Sequence, residues 1–224
     1  MSVTVEKLMQ WSGAVAGLCW VAQDVLRHTS TDDRPGGAST QVIRDHLGLN
    51  YGSQACLVLM GLALLCFATA VRSLLRSGEG RESTYSSVAF GGWLVVVAAL
   101  SQMVAWNWGL INVAADASDD SAVRILGYVS YFGWAGMGIG LAAAFLAMGL
   151  GGLRTATLPR WFAILTVVLG VLGALGDAGI PPGGLVNYVL LPFWLIAASI
   201  VVDRSTRRAA DPTRHALVTA PQPQ

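Results

Sequence analysis

Charged residues are scarce in this chain, since only 12% of its 224 residues are Asp, Glu, Lys or Arg. An average soluble domain carries about twice that fraction, and 54% of the residues here are hydrophobic. The formal net charge is only +1, without the strong basic excess that is typical of nucleic-acid-binding proteins. The composition therefore predicts an integral membrane protein and gives no support for a nucleic-acid partner.

Cysteine is also rare, and the three cysteines form no recognisable pattern. Cys19, Cys56 and Cys66 all fall within apolar segments, without a CxxC pair or a histidine at ligand spacing. Neither a disulfide framework nor a zinc site is expected. The acidic segment 116–120, DASDD, is typical of a solvated loop rather than of a magnesium-diphosphate motif. We expect no metal and no cofactor.

Long apolar runs are what the chain has in abundance, and six of them approach the ~20 residues that cross a bilayer as a helix. None shows the alternation of a transmembrane barrel strand. The predicted fold class is therefore all-α, a polytopic bundle of six transmembrane helices forming one domain over residues 1–202. The six segments are approximately 7–26, 52–74, 88–110, 125–150, 161–180 and 185–202.

The ends of the chain are expected to be simple. No small-x-small cleavage site follows the first segment, which favours an uncleaved signal anchor. Residues 203–224 contain Arg, Pro and Thr but no further apolar run, so a disordered cytoplasmic tail is predicted there.

The basic residues are distributed unevenly between the two sets of connections. Four arginines, accompanied by six aspartates, belong to one set, and the other ten of the 14 basic residues belong to the opposite set. The positive-inside rule then places both the N-terminus and the C-terminus in the cytoplasm, for a multi-pass protein of the cell membrane. The ten are Lys7, Arg72, Arg76, Arg81, Arg154, Arg160, Arg204, Arg207, Arg208 and Arg214.

Polar residues follow the same division, because alternating helix direction gathers them in the outer half of the predicted bundle. The acids and amides at this depth are Gln23, Asp24, Gln54, Gln102, Asn107, Asn112, Asp177 and Asn187, with Ser130 and Tyr131 beside them. The aromatic residues assigned to the same layer are Trp20, Tyr51, Trp106, Trp108, Tyr128, Trp134, Tyr188 and Trp194. Polar groups at membrane depth usually face a bundle interior or a wet cavity, which predicts a pocket open to the outside.

These residues also have simpler structural interpretations. An interfacial belt explains most of the Trp and Tyr residues, and an interhelical hydrogen bond, worth about 0.6 kcal/mol, would account for Asn107. Asp24 and Asp177 lie near predicted helix ends, where water solvates a carboxylate easily. The stripe of Gly133, Gly136, Gly140, Ala144 and Ala147 is typical of close helix packing, as are Gly170, Gly173 and Gly176.

The longest connection contains a candidate cover for this pocket. Ser39 is a good N-cap, Val42, Ile43 and Leu47 supply an apolar face, and Gly48 is a helix stop signal. A short surface helix is therefore expected between Ser39 and Gly48.

Two stretches resemble a known group of proteins. VAFGG at 88–92 and LRTATLPRW at 153–161 are similar to segments of small six-span actinobacterial-type membrane proteins of unknown function. The resemblance implies topology and supplies no catalytic residues. At the level of chemistry alone, acids among aromatic rings resemble the arrangement in membrane-bound terpene cyclases.

Two classes of function remain open. In the first, the protein is an enzyme acting on an isoprenoid or another lipid, with Asp24 or Asp177 as general acid or base. Asn107 would hold the reacting end of the substrate, while Trp106 or Trp108 faces a developing carbocation. Further substrate-binding positions are Gln23, Gln54, Gln102, Asn187 and Tyr188. In the second class, a carrier or accessory protein binds a small hydrophobic molecule in the same layer without catalysis.

Overall fold

The computed structural model describes residues 3–30, 39–80, 83–116, 120–181 and 183–209, and these residues form helices and short turns without a strand among them. The prediction of an all-α fold is confirmed. The helices are α1 (Val3–Ser30), α2 (Thr40–Asp45), α3 (Leu47–Glu79), α4 (Thr84–Asp116), α5 (Asp120–Phe132), α6 (Gly138–Thr155), α7 (Arg160–Asp177) and α8 (Gly183–Ala209), and a 3-10 segment (Gly133–Met137) joins α5 to α6.

Five helical stretches are long and apolar enough to cross a membrane, namely α3, α4, the continuous stretch from α5 to α6, α7 and most of α8. Helix α1 is also long, with 28 residues. It is not among the five, and it carries Gln10, Gln23 and Asp24 along its length. The multi-pass membrane character that the sequence predicts is therefore supported by five helices that are long and apolar enough to span a bilayer.

These six long stretches pack as a closed ring. Helix α1 contacts α3 and α8, α4 lies between α3 and α6, and α7 lies between α6 and α8. Helices α1 and α8 run in opposite directions, since they meet through Gly13 and Ser199 at one level and through Asp24 and Tyr188 at the other. We call the end that contains Asp24, Asp116, Asp120 and Asp177 the acidic end, and the end that contains Arg72, Arg76, Arg154, Arg160 and Arg207 the Arg-rich end.

Aromatic side chains fill the middle of the ring. Five helices contribute one buried ring each, Phe67, Trp93, Phe145, Phe162 and Trp194. Trp194 stacks on Phe162 at 5.7 Å between centroids, and its indole N–H donates to the Thr166 hydroxyl at 3.1 Å. The prediction that Trp194 belongs to the outer polar layer is wrong, because it lies about 9 Å of helix beyond Tyr188, towards the Arg-rich end. The centre is a packed core rather than a channel.

Glycine allows α4 and α6 to approach closely. A Cβ atom on Gly92 would lie 2.5 Å from the Ala144 backbone nitrogen, and one on Gly140 would lie 2.7 Å from the Gly92 carbonyl oxygen. The predicted packing role of Gly140 and Ala144 is confirmed. Gly136 makes only ordinary contact with Ala99, so the stripe is in close contact along part of its length.

The predicted surface helix is present as α2, but its end differs from the expectation. The Ser39 hydroxyl accepts a hydrogen bond from the Val42 backbone N–H at 3.3 Å, as an N-cap should. The helix ends at His46, whose φ of −121° and ψ of 29° are not helical. Gly48 lies inside α3, so the predicted glycine stop is wrong. The His46 carbonyl already accepts from the Asn50 backbone N–H, which starts the new helix.

Helix α8 extends to Ala209, past the predicted end of the transmembrane domain at Val202. Asp203 and Arg207, one turn apart, form an ion pair at 2.9 Å that supports this extension. Residues 210–224 lie outside the described part of the chain, so the disordered tail stays a prediction for them.

Candidate functional site

The acidic end contains a direct bond between an acid and a phenol from the first and last helices. The Tyr188 hydroxyl of α8 donates to Oδ1 of Asp24, on α1, at 2.5 Å. Both side chains are half-buried. His28, one turn further along α1, places Nδ1 3.7 Å from the second carboxylate oxygen of Asp24. A carboxylate with one oxygen bonded to a phenol can still accept further hydrogen bonds.

Two indole rings flank this pair. Trp20 meets the Tyr188 ring edge-on with 4.7 Å between centroids, and Trp134 meets it edge-on at 5.7 Å. Trp20 is buried, whereas Trp134 is half-buried. A side chain at Gly184 would come within 3.1 Å of the Trp134 ring, so the start of α8 lies directly against that indole. The acid and the phenol therefore lie in largely aromatic surroundings.

A second set of polar contacts extends from the same end of α1. Arg27 donates from Nη1 to the Ser130 carbonyl oxygen at 3.2 Å. The Ser130 hydroxyl in turn donates to Oδ1 of Asn107. These bonds join α1, α5 and α4, and Arg27 is three residues from Asp24 on the same helix. The structure thus brings the predicted site residue Asn107 into the polar layer through Ser130.

The 3-10 segment interrupts the helix that runs from α5 to α6 at the depth of these residues. Phe132, just before it, has a φ of −88° and a ψ of 1°, and the glycines Gly133 and Gly136 weaken the helix there. Gly133 packs against Met103 and Trp106, where a Cβ atom would lie 2.9 Å from the methionine side chain. A 3-10 stretch inside a long helix often marks a functional hinge.

Asp177 reaches the same interruption from the other side. It is the last residue of α7, it is exposed, and its carboxylate lies against the backbone of Gly138, where any side chain would overlap it. Gly138 begins α6 directly after the 3-10 segment. Asp24 therefore reaches the 3-10 segment indirectly, through Tyr188 and Trp134, and Asp177 contacts the residue that follows the segment, Gly138.

Three of the predicted binding amides link neighbouring helices. Gln54 donates to the Val104 carbonyl oxygen at 2.8 Å, and Asn187 donates to the Leu169 carbonyl oxygen at 3.1 Å. Gln23 accepts from the Ser53 hydroxyl at 3.4 Å. All three amides are buried, and the side-chain oxygens of Gln54 and Asn187 have no hydrogen-bond partner among the residues that the structure describes. Each such buried acceptor has a free-energy cost.

The other predicted positions lie at the acidic end in different surroundings. Trp106 packs on Gly133, whereas Trp108 is exposed and meets Tyr51 edge-on at 5.7 Å. Gln102 is exposed. Asn112 donates to the Trp108 carbonyl oxygen of its own helix at 2.8 Å, which is a local bond.

Two neighbours of Asp24 were not predicted as site residues, although the sequence contains a signal for both. Trp20 precedes Asp24 by four residues and Arg27 follows it by three, so all three share one face of a helix. Trp134 has no comparable signal, because its position depends on how the 3-10 segment turns against α8.

Comparison with known proteins provides no further guide to this site. No protein-family model matches the chain, and neither a curated protein nor a solved structure is significantly similar to it. Within the described ranges, no group of three or more His, Cys, Asp or Glu side chains is arranged to hold a metal ion.

Proposed function

We propose that this protein of the cell membrane binds an isoprenoid or another lipid at its acidic end and exchanges a proton with it through Asp24. The observation that carries the proposal is the 2.5 Å bond from Tyr188 to Asp24 between the indoles of Trp20 and Trp134. The half-buried position of Asp24 beside aromatic rings supports its use on an apolar substrate.

The chemistry follows from the residues that surround the acid. Protonated Asp24 transfers its proton to a double bond of the substrate, and an electron-rich indole face stabilises the carbocation that forms. The proton returns to the carboxylate when the product loses a neighbouring hydrogen. Tyr188 fixes the orientation of the carboxyl group throughout. A positioned acid of this kind typically contributes about 10² to 10⁴ in rate.

A second candidate function is binding without catalysis, and the amides favour it. Gln23, Gln54 and Asn187 hold α1 to α3, α3 to α4 and α7 to α8 through buried hydrogen bonds. A layer cross-linked in this way is a rigid scaffold, which suits a carrier or accessory protein that orients a hydrophobic molecule.

We also propose that the acidic end faces outward and that both termini are cytoplasmic, on the basis of the charge asymmetry. The orientation is tested with two single variants, Asp116→Cys and Arg160→Cys. Each is made in a background in which Cys19, Cys56 and Cys66 are replaced by Ala. An impermeant thiol reagent added to intact cells should label position 116 alone. Labelling of position 160 alone would reverse the orientation.

The catalytic proposal is tested with membranes that contain the wild type, Asp24→Asn, Asp177→Asn or Asp203→Asn, incubated with polyprenyl substrates. Asp203 is a matched control, because its carboxylate pairs with Arg207 at the Arg-rich end. Turnover should fall by about 10² to 10⁴ in Asp24→Asn and persist in Asp203→Asn. Wild-type turnover in Asp24→Asn would exclude this acid, and absence of product from every protein would favour binding alone.

A further inference from the structure

A pocket at the Arg-rich end lies far from the Asp24 pair. It has a volume of about 250 Å³ and is lined by Gly78, Glu79, Thr84, Tyr85, Arg154 and Thr155. The end of α3, the start of α4 and the end of α6 form its walls. Because Gly78 has no side chain, α3 approaches Thr155 so closely that a Cβ atom at position 78 would lie 2.7 Å from the Thr155 Cβ.

The acidic side chain of this pocket, Glu79, is held in place by two hydrogen bonds from Ser86. One oxygen of Glu79 accepts from the Ser86 backbone N–H at 2.9 Å, and the other accepts from the Ser86 hydroxyl at 3.0 Å. These bonds fix the carboxylate at the start of α4. A carboxylate has about four acceptor positions, so it retains capacity for a donor from a ligand in the pocket.

The basic side chain of the pocket, Arg154, lies beside an aromatic ring. The Arg154 guanidinium carbon lies 5.9 Å from the centroid of Tyr85, within the range of a cation-π contact. A guanidinium group has five N–H donors arranged to bind phosphate oxygens. Among the described residues that line the pocket, Glu79 is the negative group and Arg154 is the positive group.

The surroundings place this pocket at the level of lipid headgroups. Arg160 and Trp161 begin the adjacent helix α7, and the Trp161 side chain is 62% exposed. Exposed tryptophan beside arginine is typical of the interface between membrane and water. Arg72 lies over the Phe90 ring at 4.9 Å in the same half of the bundle.

We propose that this pocket binds a phosphate group joined to a primary ammonium group, the chemistry of a phosphatidylethanolamine headgroup. The phosphate contacts Arg154, and the ammonium donates to Glu79. A purely anionic headgroup would bring no ammonium group to Glu79, and its negative charge would be repelled by that carboxylate. A trimethylammonium group cannot donate to a carboxylate, and Arg154 already lies against the aromatic ring that would otherwise attract it.

The proposal is tested by native mass spectrometry of the full chain in detergent, titrated with phosphatidylethanolamine or phosphatidylglycerol. Retention of phosphatidylethanolamine should exceed that of phosphatidylglycerol by about tenfold, as expected for one additional charge-assisted hydrogen bond. Arg154→Gln should lower phosphatidylethanolamine retention by about the same factor. Arg160→Gln, a matched control outside the pocket, should leave it unchanged.

Selectivity provides a second readout that misfolding cannot mimic. Glu79→Gln should abolish the preference for phosphatidylethanolamine over phosphatidylglycerol while phosphatidylglycerol is still retained. Equal retention of both lipids by the wild type, or equal losses in Arg154→Gln and Arg160→Gln, would overturn the proposal. Soluble glycerophosphoethanolamine identifies the source of the ligand. If it displaces the lipid at similar concentrations, the site takes the free headgroup compound, and if it does not, the site takes the intact lipid.

Discussion

Trp194 and Tyr188 lie on the same helix, yet their surroundings differ completely. Trp194 is buried at the centre of the ring and contacts aromatic rings from four other helices, including Phe67 and Phe145. Tyr188 is half-buried at the acidic end, where it contacts a carboxylate and two indoles. The two regions therefore differ in what surrounds the rings: apolar aromatic contacts surround them at the centre, and polar groups lie beside them at the acidic end.

The largest effect on stability is expected from breaking the centre. Trp194→Ala removes a ring that lies between Trp93, Phe145 and Phe162, and it leaves a cavity. The free energy of unfolding should fall by about 3 to 5 kcal/mol, measured by denaturant titration in detergent micelles. Trp161→Ala, at an exposed site, is the control and should change it little. Equal losses in the two variants would show that the central cluster is not the core.

A smaller loss is expected where two backbones meet. In Gly92→Ala, the new methyl group would lie 2.5 Å from the Ala144 backbone nitrogen, so α4 and α6 must move apart, at a cost of about 1 to 3 kcal/mol. At the neighbouring Gly91, such a group would have no described atom within 4 Å outside the adjacent residues and the local backbone of α4. Gly91→Ala should therefore be neutral or stabilise the helix slightly. The same unfolding titration should give a lower free energy of unfolding for Gly92→Ala than for Gly91→Ala. An unchanged free energy of unfolding in Gly92→Ala would contradict the close approach of α4 and α6.

The smallest effect is expected from the amides of the acidic end. Gln54→Leu removes a bond to the Val104 carbonyl but also removes a buried oxygen that has no partner among the described residues. The net change in unfolding free energy should be within about 1 kcal/mol. Gln102→Leu makes the same substitution at an exposed position of the next helix. A loss in Gln54→Leu as large as that in Trp194→Ala would remove the distinction between the two regions.

The sequence was sufficient to predict most of the long helices, but it was insufficient to predict the contacts between them. Hydropathy located five of the six predicted spans as long apolar helices, because a lipid environment requires about 20 apolar residues in each span. The predicted depth of Trp194 along the bundle is wrong. The residues around it are uniformly apolar, so the sequence does not show where the central core ends and the outer layer begins. The bond between Asp24 and Tyr188 joins residues 164 positions apart. It depends on how α1 and α8 rotate about their axes, which no local pattern of residues specifies.

The helix boundaries show the same limit on a smaller scale. Glycine is a typical helix stop signal, but Gly48 lies inside α3. The break between α2 and α3 occurs two residues earlier, at His46. Trp20 and Arg27 could have been assigned to the site from their spacing to Asp24. Trp134 could not, since it reaches Tyr188 only through the turn of the 3-10 segment.

The most direct test of the account is whether the acidic end holds a ligand independently of the stability of the bundle. The experiment compares three proteins purified in mild detergent, the wild type, Tyr188→Phe and Tyr128→Phe. The molecules that remain bound to each are extracted and identified by mass spectrometry. The free energy of unfolding of each protein is measured in parallel. Tyr128 is an exposed tyrosine and serves as the control. The account predicts that Tyr188→Phe alone loses a retained hydrophobic molecule, with an unfolding free energy within about 1 kcal/mol of the wild type. The same retained molecules in all three proteins would contradict it.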